Sequence, residues 1–299
     1  MDKLCISVKA IAYSIGAGSF VTRDQRVRGM LAMAQELGEL GYKLPGAHSL
    51  KPKHVNALVT HWKGKGLSDQ TIRNRLAWVR SLGEAINKPG LVPNLNEGFG
   101  LAERGRGSKN RATPLTQDDL ARVPDERVRL ALKLEAAFGL RREEALKMRP
   151  AVADLGNRLA LRASWCKGGR YREVPLTHPK QRALLDEVKE LVGDGSLINP
   201  GANYKKGVKR YERMLVQGGI GNAHKYRHAY AQWRYKVLTG WACPLAGGPT
   251  CDRMTAAQER RDRSARMQIS HEMGHGRLDV TDTYLGRRWA ANAKREAAA

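Results

Sequence analysis

Residues 89–114 constrain the fold most, because no helix or strand can run through them. They contain glycines and prolines at short intervals, namely Pro89, Gly90, Pro93, Gly98, Gly100, Gly105, Gly107 and Pro114. Both residue types interrupt regular secondary structure, and such clustering is typical of a linker between domains. We therefore expect two folded domains, a helical one over residues 23–88 and a larger one over residues 115–299. Residues 1–22 show little periodicity and are predicted to form a loosely held arm.

The charge of the chain predicts a polyanionic partner. Lysine and arginine number 53 against 29 aspartates and glutamates, which gives a formal net charge of +24 and a pI near 10.3. The excess is spread along the sequence and is not confined to a tail. Nucleic acid is the default partner for a positive field of this kind. A generically basic protein, or one that touches an anionic membrane, is the alternative that charge alone leaves open.

Other features favour a location in the cytoplasm. No apolar run approaches the length needed to span a bilayer, and the N-terminus lacks a signal-peptide pattern. The cysteines have no framework spacing and are expected to be reduced thiols. They are Cys5, Cys166, Cys243 and Cys251. Cys243 and Cys251 flank a Pro/Gly-rich loop, but neither a CxxC spacing nor a paired histidine supports a metal site there.

The N-terminal domain is predicted to be all-helical. Apolar residues recur at helical spacing from Arg23, again over residues 55–62, and in a third segment after Ser68, which is a good N-cap. The outer helix faces carry basic side chains, namely Lys51, Lys53, Lys63, Lys65, Arg73, Arg75, Arg80 and Lys88. These residues either form a solvated surface or contact DNA phosphates, where they supply affinity without sequence readout. The net charge favours phosphate contacts.

The linker shares this basic character, since it carries Arg104, Arg106, Lys109 and Arg111. These four residues are also candidates for DNA contacts. A flexible basic linker between two basic domains suits a clamp that closes around a duplex.

The second domain is predicted to begin at Thr116, with Asp119 completing a capping box. A buried helix follows, and Gly139-Leu140-Arg141 then breaks the chain before a new helix. Residues 159–165 and 171–176 are expected to pair as strands of a hairpin with Lys167 at its tip. The remaining helices are predicted at 179–192, 204–216 and 222–238.

The helix predicted over residues 222–238 carries a candidate anion site. His224 and Arg227 lie three positions apart, so both point to one face of the helix. The helix follows Gly218-Gly-Ile-Gly221, which leaves its N-terminus open to an anion. A histidine–arginine pair on a helix is more often a solvent-exposed pair without a function or a structural cap, so this motif is weak when taken alone.

A second weak motif lies near the C-terminus. His275 directly follows Gly274, and Tyr284 lies nine positions later. The histidine can reach a phosphate, and a tyrosine just beyond the next short helix can act as an oxygen nucleophile in the same pocket. A turn histidine and a core tyrosine are the ordinary alternative. His271 and His228 are further histidines near these motifs and are possible decoys.

Together, the order and contexts of six residues resemble the catalytic domain of the tyrosine recombinases, the family of phage integrases and chromosome-dimer resolving recombinases. The ordered set is Arg141, Lys167, His224, Arg227, His275 and Tyr284. The resemblance covers roughly residues 115–290, and the N-terminal helical unit is similar to the family's core-binding domain in size and helical content. The implied fold is mainly α with a small β-sheet, a helical core-binding domain preceding an α+β catalytic domain.

The resemblance implies a role for each residue. Arg141 and Arg227 would hold the non-bridging oxygens of a phosphodiester, because guanidiniums stay protonated and bind such oxygens in pairs. Tyr284 would attack phosphorus and form a 3′-phosphotyrosyl intermediate. Lys167 would protonate the leaving 5′ oxygen as general acid.

The remaining residues would support the same step. His224 would accept the tyrosine proton or orient the phosphate, and His275 would donate a hydrogen bond to it. Glu144 matches the acid that accompanies the first arginine and would brace it. No nucleotide cofactor or metal ion is required.

Two regions depart from the family pattern. Arg227 and His275 are 48 positions apart, longer than is usual, and the extra material lies near residues 239–267. It is interpreted either as a DNA or subunit contact or as a passive surface insertion. The segment after Tyr284 is short, and it is expected either to dock on a neighbouring protomer or to fray.

The sequence therefore favours a site-specific DNA recombinase from a bacterial mobile element, located in the cytoplasm and on the nucleoid when DNA-bound. Its expected partners are double-stranded DNA with recombination sites, three further copies in a homo-tetramer on DNA (a monomer without DNA), and accessory DNA-bending or directionality proteins. The alternatives are a type IB topoisomerase, a hairpin-end resolvase, or a catalytically silent DNA-binding protein of the same fold.

Overall fold

The computed structural model describes residues 2–93, 98–102 and 109–290. The chain divides into two compact units, Met1–Arg104 and Gly105–Ala299. The division falls within the segment whose composition predicts a linker.

The N-terminal unit is built from four helices around one apolar core. The helices are α1 (Lys3–Ser14), α2 (Phe20–Glu39), α3 (Pro52–Gly64) and α4 (Asp69–Ala85), with 3₁₀ turns at Ala47–Ser49 and Pro89–Leu91. Met30, Leu37, Trp62 and Leu76 are fully buried at its centre. Ser68 caps α4 as predicted, because its hydroxyl accepts a hydrogen bond from the Thr71 amide at 3.3 Å.

The prediction of a loose N-terminal arm is wrong. Residues 3–14 form α1, which packs on α2 and α4. Leu4, Val8 and Ala12 recur every four residues and are buried along one face of this helix. Helix α1 therefore belongs to the core of the N-terminal unit.

Two of the predicted DNA contacts of this unit are corrected by the structure. Arg73 is 6% exposed and donates to the carbonyl oxygen of Ala102. Arg75 pairs with the Glu36 carboxylate at 2.9 Å and lies over the Trp62 ring. Arg73 is thus buried, and the charge of Arg75 is paired with a carboxylate of its own unit, so neither is placed as an exposed free cation.

The other basic candidates differ in exposure. Lys51, Lys53, Lys63 and Lys65 are exposed, and Arg80 is half-buried. Lys63 also donates to the Phe99 carbonyl oxygen at 2.6 Å. In the linker, Lys109 and Arg111 are exposed. Arg104 and Arg106 lie outside the described residues.

The C-terminal unit contains nine described helices and one hairpin. The helices are α5 (Gln117–Ala121), α6 (Glu126–Phe138), α7 (Arg142–Lys147), α8 (Pro150–Ala153), α9 (Pro179–Val192), α10 (Tyr204–Gln217), α11 (His224–Thr239), α12 (Ala256–Glu272) and α13 (Leu278–Leu285). Thr116 and Asp119 form the predicted capping box at the start of α5. Helix α11 packs between α6 and α12, and its buried Tyr226, Tyr230 and Tyr235 join the main core.

The hairpin consists of β1 (Arg158–Leu161) and β2 (Arg172–Pro175), paired antiparallel with Leu159 opposite Val174. Strand β1 is shorter than predicted, because a 3₁₀ turn at Ala163–Trp165 replaces its second half. Lys167 lies in the connection that follows, as predicted.

The interpretation of residues 239–267 as a passive surface insertion is wrong, whereas a DNA or subunit contact by this segment stays a prediction. Thr239 ends α11, residues 240–255 form a connection with 3₁₀ turns at Pro244–Ala246 and Cys251–Arg253, and residues 256–267 form the first two-thirds of α12. Helix α12 packs against α11, α13 and β2. Asp262 and Arg266 on α12 are fully buried. Part of the charge of α12 is therefore paired inside the unit, whereas Arg260, Arg261 and Arg263 are exposed.

The structure also bears on the cysteines, on metal binding and on membrane-spanning helices. The four cysteines are buried free thiols. Within the described part of the chain, no group of three or more histidine, cysteine, aspartate or glutamate side chains is placed to hold a metal ion. A search of the same residues for a helix both long and apolar enough to traverse a bilayer returns no candidate.

Candidate active site

An open cleft of about 560 Å³ collects three of the predicted site residues in the C-terminal unit. Arg141, Lys167 and His224 all line it. They come from the start of α7, the hairpin connection and the first turn of α11. Elements distant in sequence thus place a guanidinium, an ammonium and an imidazole around one space.

Arg141 is positioned by the break between α6 and α7. Gly139 ends α6 with a φ of +60°, and a Cβ at this position would lie 2.3 Å from the Tyr230 ring. Only glycine fits this left-handed, crowded position. Arg141 then caps α7, and its guanidinium donates to Glu144 Oε1 at 2.8 Å while its backbone amide donates to Glu144 Oε2 at 2.6 Å.

Arg227 lies on α11 one turn after His224 and has no exposed surface. Its guanidinium donates to the Gly139 carbonyl oxygen, to the Met273 carbonyl oxygen at 2.5 Å and to His275 Nε2 at 3.3 Å. Its Nε has no partner within the described structure. Burial lowers the pKa of Arg227 to about 10, so the guanidinium stays protonated at neutral pH.

One carboxylate sits among three guanidiniums beneath the cleft. Glu144 is fully buried and accepts from Arg172 Nη2 at 2.5 Å and from Arg141, with Arg227 Nη1 at 4.0 Å. Burial alone would raise the pKa of Glu144, but the charges of Arg172, Arg227 and Arg141 lower it overall. The cluster keeps a surplus of positive charge, which suits an anionic ligand.

Arg172 is a further candidate residue of this cluster, which the sequence motifs did not indicate. It is 5% exposed and lies on β2, where burial alternates between Arg172, Glu173 and Val174. A basic residue at an inward position of a strand is unusual and needs a buried partner. This alternation is the signal by which the sequence could have identified Arg172.

Tyr284 lies in the last turn of α13, and not beyond it as the sequence suggested. The residue is 4% exposed, and its Oη is 3.4 Å from His224 Nε2. Its ring centroid is 5.6 Å from that of His275 and 4.5 Å from that of His228. The Arg227 guanidinium carbon is 5.9 Å from the centre of the ring.

His275 reaches this group because the chain turns sharply after α12. Gly274 has a φ of +68°, and a Cβ there would lie 2.8 Å from Arg172 Cδ and 3.3 Å from Arg141 Nη1. Glycine thus lets the backbone approach both guanidiniums. The His275 amide then donates to the Ser270 carbonyl oxygen at 2.8 Å, which fixes the turn.

The two candidate histidines are held neutral. Burial, followed by the charges of Arg227 and Arg141, lowers the pKa of His224 to about 4 and that of His275 to about 3. A neutral imidazole keeps one nitrogen free to accept a proton. His224 faces the cleft and carries its Nε2 towards the phenol oxygen of Tyr284.

The structure therefore brings the predicted residues together in two layers. Arg141, Lys167 and His224 line the cleft, while Arg227, His275 and Tyr284 are linked to them through Glu144 and His224. The two further histidines near these motifs differ in exposure. His271 is exposed, whereas His228 is buried against the Tyr284 ring.

Two family models match the chain along most of its length. Residues 1–88 match the model described as phage integrase, N-terminal, and residues 102–233 match the model described as integrase. The chain belongs to the tyrosine recombinase family. Its activity class is the breakage and rejoining of DNA strands at specific sites. A search of curated protein sequences finds no significant match.

Solved structures of similar fold are themselves recombinases. The site-specific recombinase XerH bound to its difH substrate is 18% identical over 99% of this chain and 84% of that chain, with a TM-score of 0.57. The Tn1549 transposon integrase bound to circular-intermediate DNA is 17% identical over 97% of this recombinase and 99% of that chain, with a TM-score of 0.58. A lambda integrase dimer bound to a COC′ core site is 14% identical over 96% of this chain and 78% of that chain, with a TM-score of 0.60.

Proposed function

We propose that this recombinase cuts DNA by transesterification onto Tyr284 and thereby moves a mobile element into and out of a chromosome. The observation that carries the proposal is the position of the Tyr284 oxygen. It lies 3.4 Å from an imidazole nitrogen, in a cluster where three guanidiniums face one carboxylate. Such a cluster stabilises the negative charge that builds on a phosphate under attack.

The cleavage step follows from these groups. The Tyr284 oxygen attacks phosphorus and loses its proton to the neutral His224 imidazole. Arg141 and Arg227 stabilise the non-bridging oxygens, and His275 donates a hydrogen bond to one of them. The bond from phosphorus to the 5′ oxygen breaks, so that a 3′-phosphotyrosyl ester forms. Glu144 braces Arg141 through two hydrogen bonds.

Lys167 is assigned to the leaving group. It is exposed on the hairpin connection and lines the same cleft as Arg141 and His224. Its ammonium protonates the departing 5′ oxygen, which leaves as a hydroxyl. Rejoining is the reverse reaction with a 5′-hydroxyl of another strand, so bond energy is conserved and no hydrolysis is needed.

The substrate and assembly are proposed from the fold neighbours. These neighbours form complexes with DNA, among them a lambda integrase tetramer bound to a Holliday junction. We infer that four copies of this chain act on two duplexes in the bacterial cytoplasm, with accessory DNA-bending or directionality proteins setting the outcome. The exposed Lys51, Lys53, Lys65, Lys109 and Arg111 are proposed to contact the DNA backbone.

A trapping experiment tests the proposal. Nicked duplexes with a random-sequence core are incubated with the full chain, and the species that become covalently attached are recovered and sequenced. The nick lets the freed strand end diffuse away, so the covalent adduct accumulates. An SDS-resistant adduct on a defined sequence, lost in Tyr284→Phe, is expected. Failure to trap any duplex would contradict the proposal, and relaxation of supercoiled plasmids without site preference would favour a topoisomerase.

A further inference from the structure

A second buried polar cluster in the C-terminal unit holds the residues on both sides of Tyr284. Its centre is Arg266 on α12, whose side chain has no exposed surface. Arg266 Nη1 donates to Asp282 Oδ1 at 3.1 Å and to the Gly286 carbonyl oxygen at 2.8 Å. Asp282 lies two residues before Tyr284, and Gly286 lies two residues after it.

The anchor of Arg266 is Asp262, one turn earlier on α12. Arg266 Nε donates to Asp262 Oδ1 at 2.7 Å. The same carboxylate accepts from Tyr235 Oη at 2.7 Å and from Arg288 Nε at 2.8 Å. Its side chain is 1% exposed, so these charge-assisted hydrogen bonds form away from water.

The chain after α13 is tied to the same cluster. Arg288 lies four residues after Tyr284, and its carbonyl oxygen accepts from the Cys251 amide at 2.7 Å. The Ala290 amide donates to Asp252 Oδ1 at 3.2 Å. The loop before α12 therefore holds the segment that follows α13.

We propose that Arg266, with Asp262, is a positioning residue for the nucleophile. It fixes α13 and the residues after it, and so keeps the Tyr284 oxygen beside His224 in the active site of its own subunit. The inference rests on the proposed function of Tyr284. Helix α13 spans only Leu278–Leu285, so it needs tertiary contacts to keep its place. A displacement of about 1 Å of a reacting group lowers rates by up to about a hundredfold.

The cluster is better suited to fixing geometry than to adding stability. A buried ion pair gains little net free energy over well-packed apolar residues, because both charges lose their hydration. It does, however, specify one arrangement, since each guanidinium hydrogen bond has a direction. Arg266 makes directed bonds to Asp282 and Gly286, which bracket the nucleophile by two residues on either side.

Asp282→Asn is the first test, because it keeps the shape of the side chain and removes the charge that Arg266 binds. The matched control is Asp279→Asn, the same change on the same helix at a position whose side chain is 49% exposed. Covalent adduct formation on the trapped nicked duplex is measured in a single turnover at saturating DNA, alongside the dissociation constant for that duplex. The unsubstituted chain supplies the reference rate.

The expected result for Asp282→Asn is a fall of about tenfold or more in the rate at saturating DNA, with the dissociation constant within about twofold. Asp279→Asn should match the unsubstituted chain in both. An Asp282→Asn rate equal to that of the unsubstituted chain, or an equal fall in Asp279→Asn, would overturn the inference. Absence of any adduct with the unsubstituted chain would instead overturn the proposed function.

Arg288 offers a second test at the rim of the cluster, where the side chain is 20% exposed and substitution is better tolerated. Arg288→Gln should slow single-turnover cleavage several-fold, and Arg288→Lys should recover most of the loss because it keeps a cation beside Asp262. A purely structural contribution would lower the unfolding temperature of Arg288→Gln without changing the rate for the folded protein. That outcome would contradict the assignment.

Discussion

Two of the buried arginine clusters of the C-terminal unit differ in their charge balance. Beneath the cleft, Arg141, Arg172 and Arg227 surround one carboxylate, that of Glu144. Behind α13, two guanidiniums face three carboxylates. Arg266 and Arg288 are bound to the buried Asp262 and to the partly exposed Asp282 and Glu259. We call the first the phosphate cluster and the second the anchor cluster.

The difference indicates what each cluster is for. A buried charge without a counter-ion costs free energy, so a surplus is retained where a ligand of opposite charge completes it. The phosphate cluster has such a surplus and borders an open cleft. The anchor cluster has no positive surplus, because its carboxylates outnumber its guanidiniums, and Arg266 and Asp262 are buried. The difference in charge balance therefore indicates that the phosphate cluster binds an anion and that the anchor cluster fixes structure.

The largest expected effect comes from removing the carboxylate of the phosphate cluster. Glu144→Gln leaves three guanidiniums without a counter-ion and should lower the free energy of unfolding by about 3–5 kcal/mol. Denaturant unfolding measures this loss. Sulfate should restore more stability to Glu144→Gln than to the unsubstituted chain, because it can enter the cleft as the missing anion. The matched variant Asp262→Asn should be destabilised to a similar degree without this recovery, and equal rescue of both would remove the distinction between the clusters.

The next effect concerns catalysis. Arg227→Lys keeps the charge but loses the planar fork that binds two oxygens, so cleavage at saturating DNA should fall by about a hundred- to a thousandfold. Arg288→Lys is the matched change in the anchor cluster and should alter the rate by no more than a few-fold. Single-turnover adduct formation reports both. A comparable loss in the two variants would mean that charge balance does not mark the reacting site.

The smallest expected effect is a pH dependence of the free energy of unfolding, to which the buried His228 beside Tyr284 contributes. Burial and nearby positive charge lower the pKa of His228 from 6.5 to about 4. Between these values the unfolded chain binds a proton that the folded chain does not, so the free energy of unfolding falls as pH decreases from about 6.5 to about 4. The contribution of His228 is up to about 3 kcal/mol at the acidic end of this window.

His228→Gln removes that contribution, and unfolding curves at pH 7 and pH 4.5 measure it. The pH dependence should become shallower in the variant, with His224 and His275 supplying the remainder. An unchanged slope would show that the histidine ring beside Tyr284 is not protected from protonation.

Much of this architecture could be predicted from the sequence because local patterns decide it. Helical spacing and capping residues such as Ser68 and Thr116 locate the helices, and the glycine-rich stretch separates the two units. The order of arginine, lysine, histidine and tyrosine motifs identified six residues, of which three line the cleft and three are buried next to it. Their individual roles stay predictions until the variants are measured.

Several errors share one physical cause, the assumption that a charged residue lies on the surface. Arg73 and Arg75 on α4 were interpreted as outward charges, yet each has a partner inside its own unit. Whether an arginine is paired depends on residues that are distant in sequence, as Arg75 and Glu36 illustrate. Arg172 was missed for the same reason, because its partner Glu144 lies 28 positions away.

The most direct test of the central claim is to identify the residue that carries DNA. The trapped adduct is digested with a protease and a nuclease, and the peptide bearing a nucleotide is sequenced by mass spectrometry. The account predicts a single 3′-phosphate ester on the phenol oxygen of Tyr284. Attachment to another residue of the unit, such as Tyr226 or Tyr230, would contradict it.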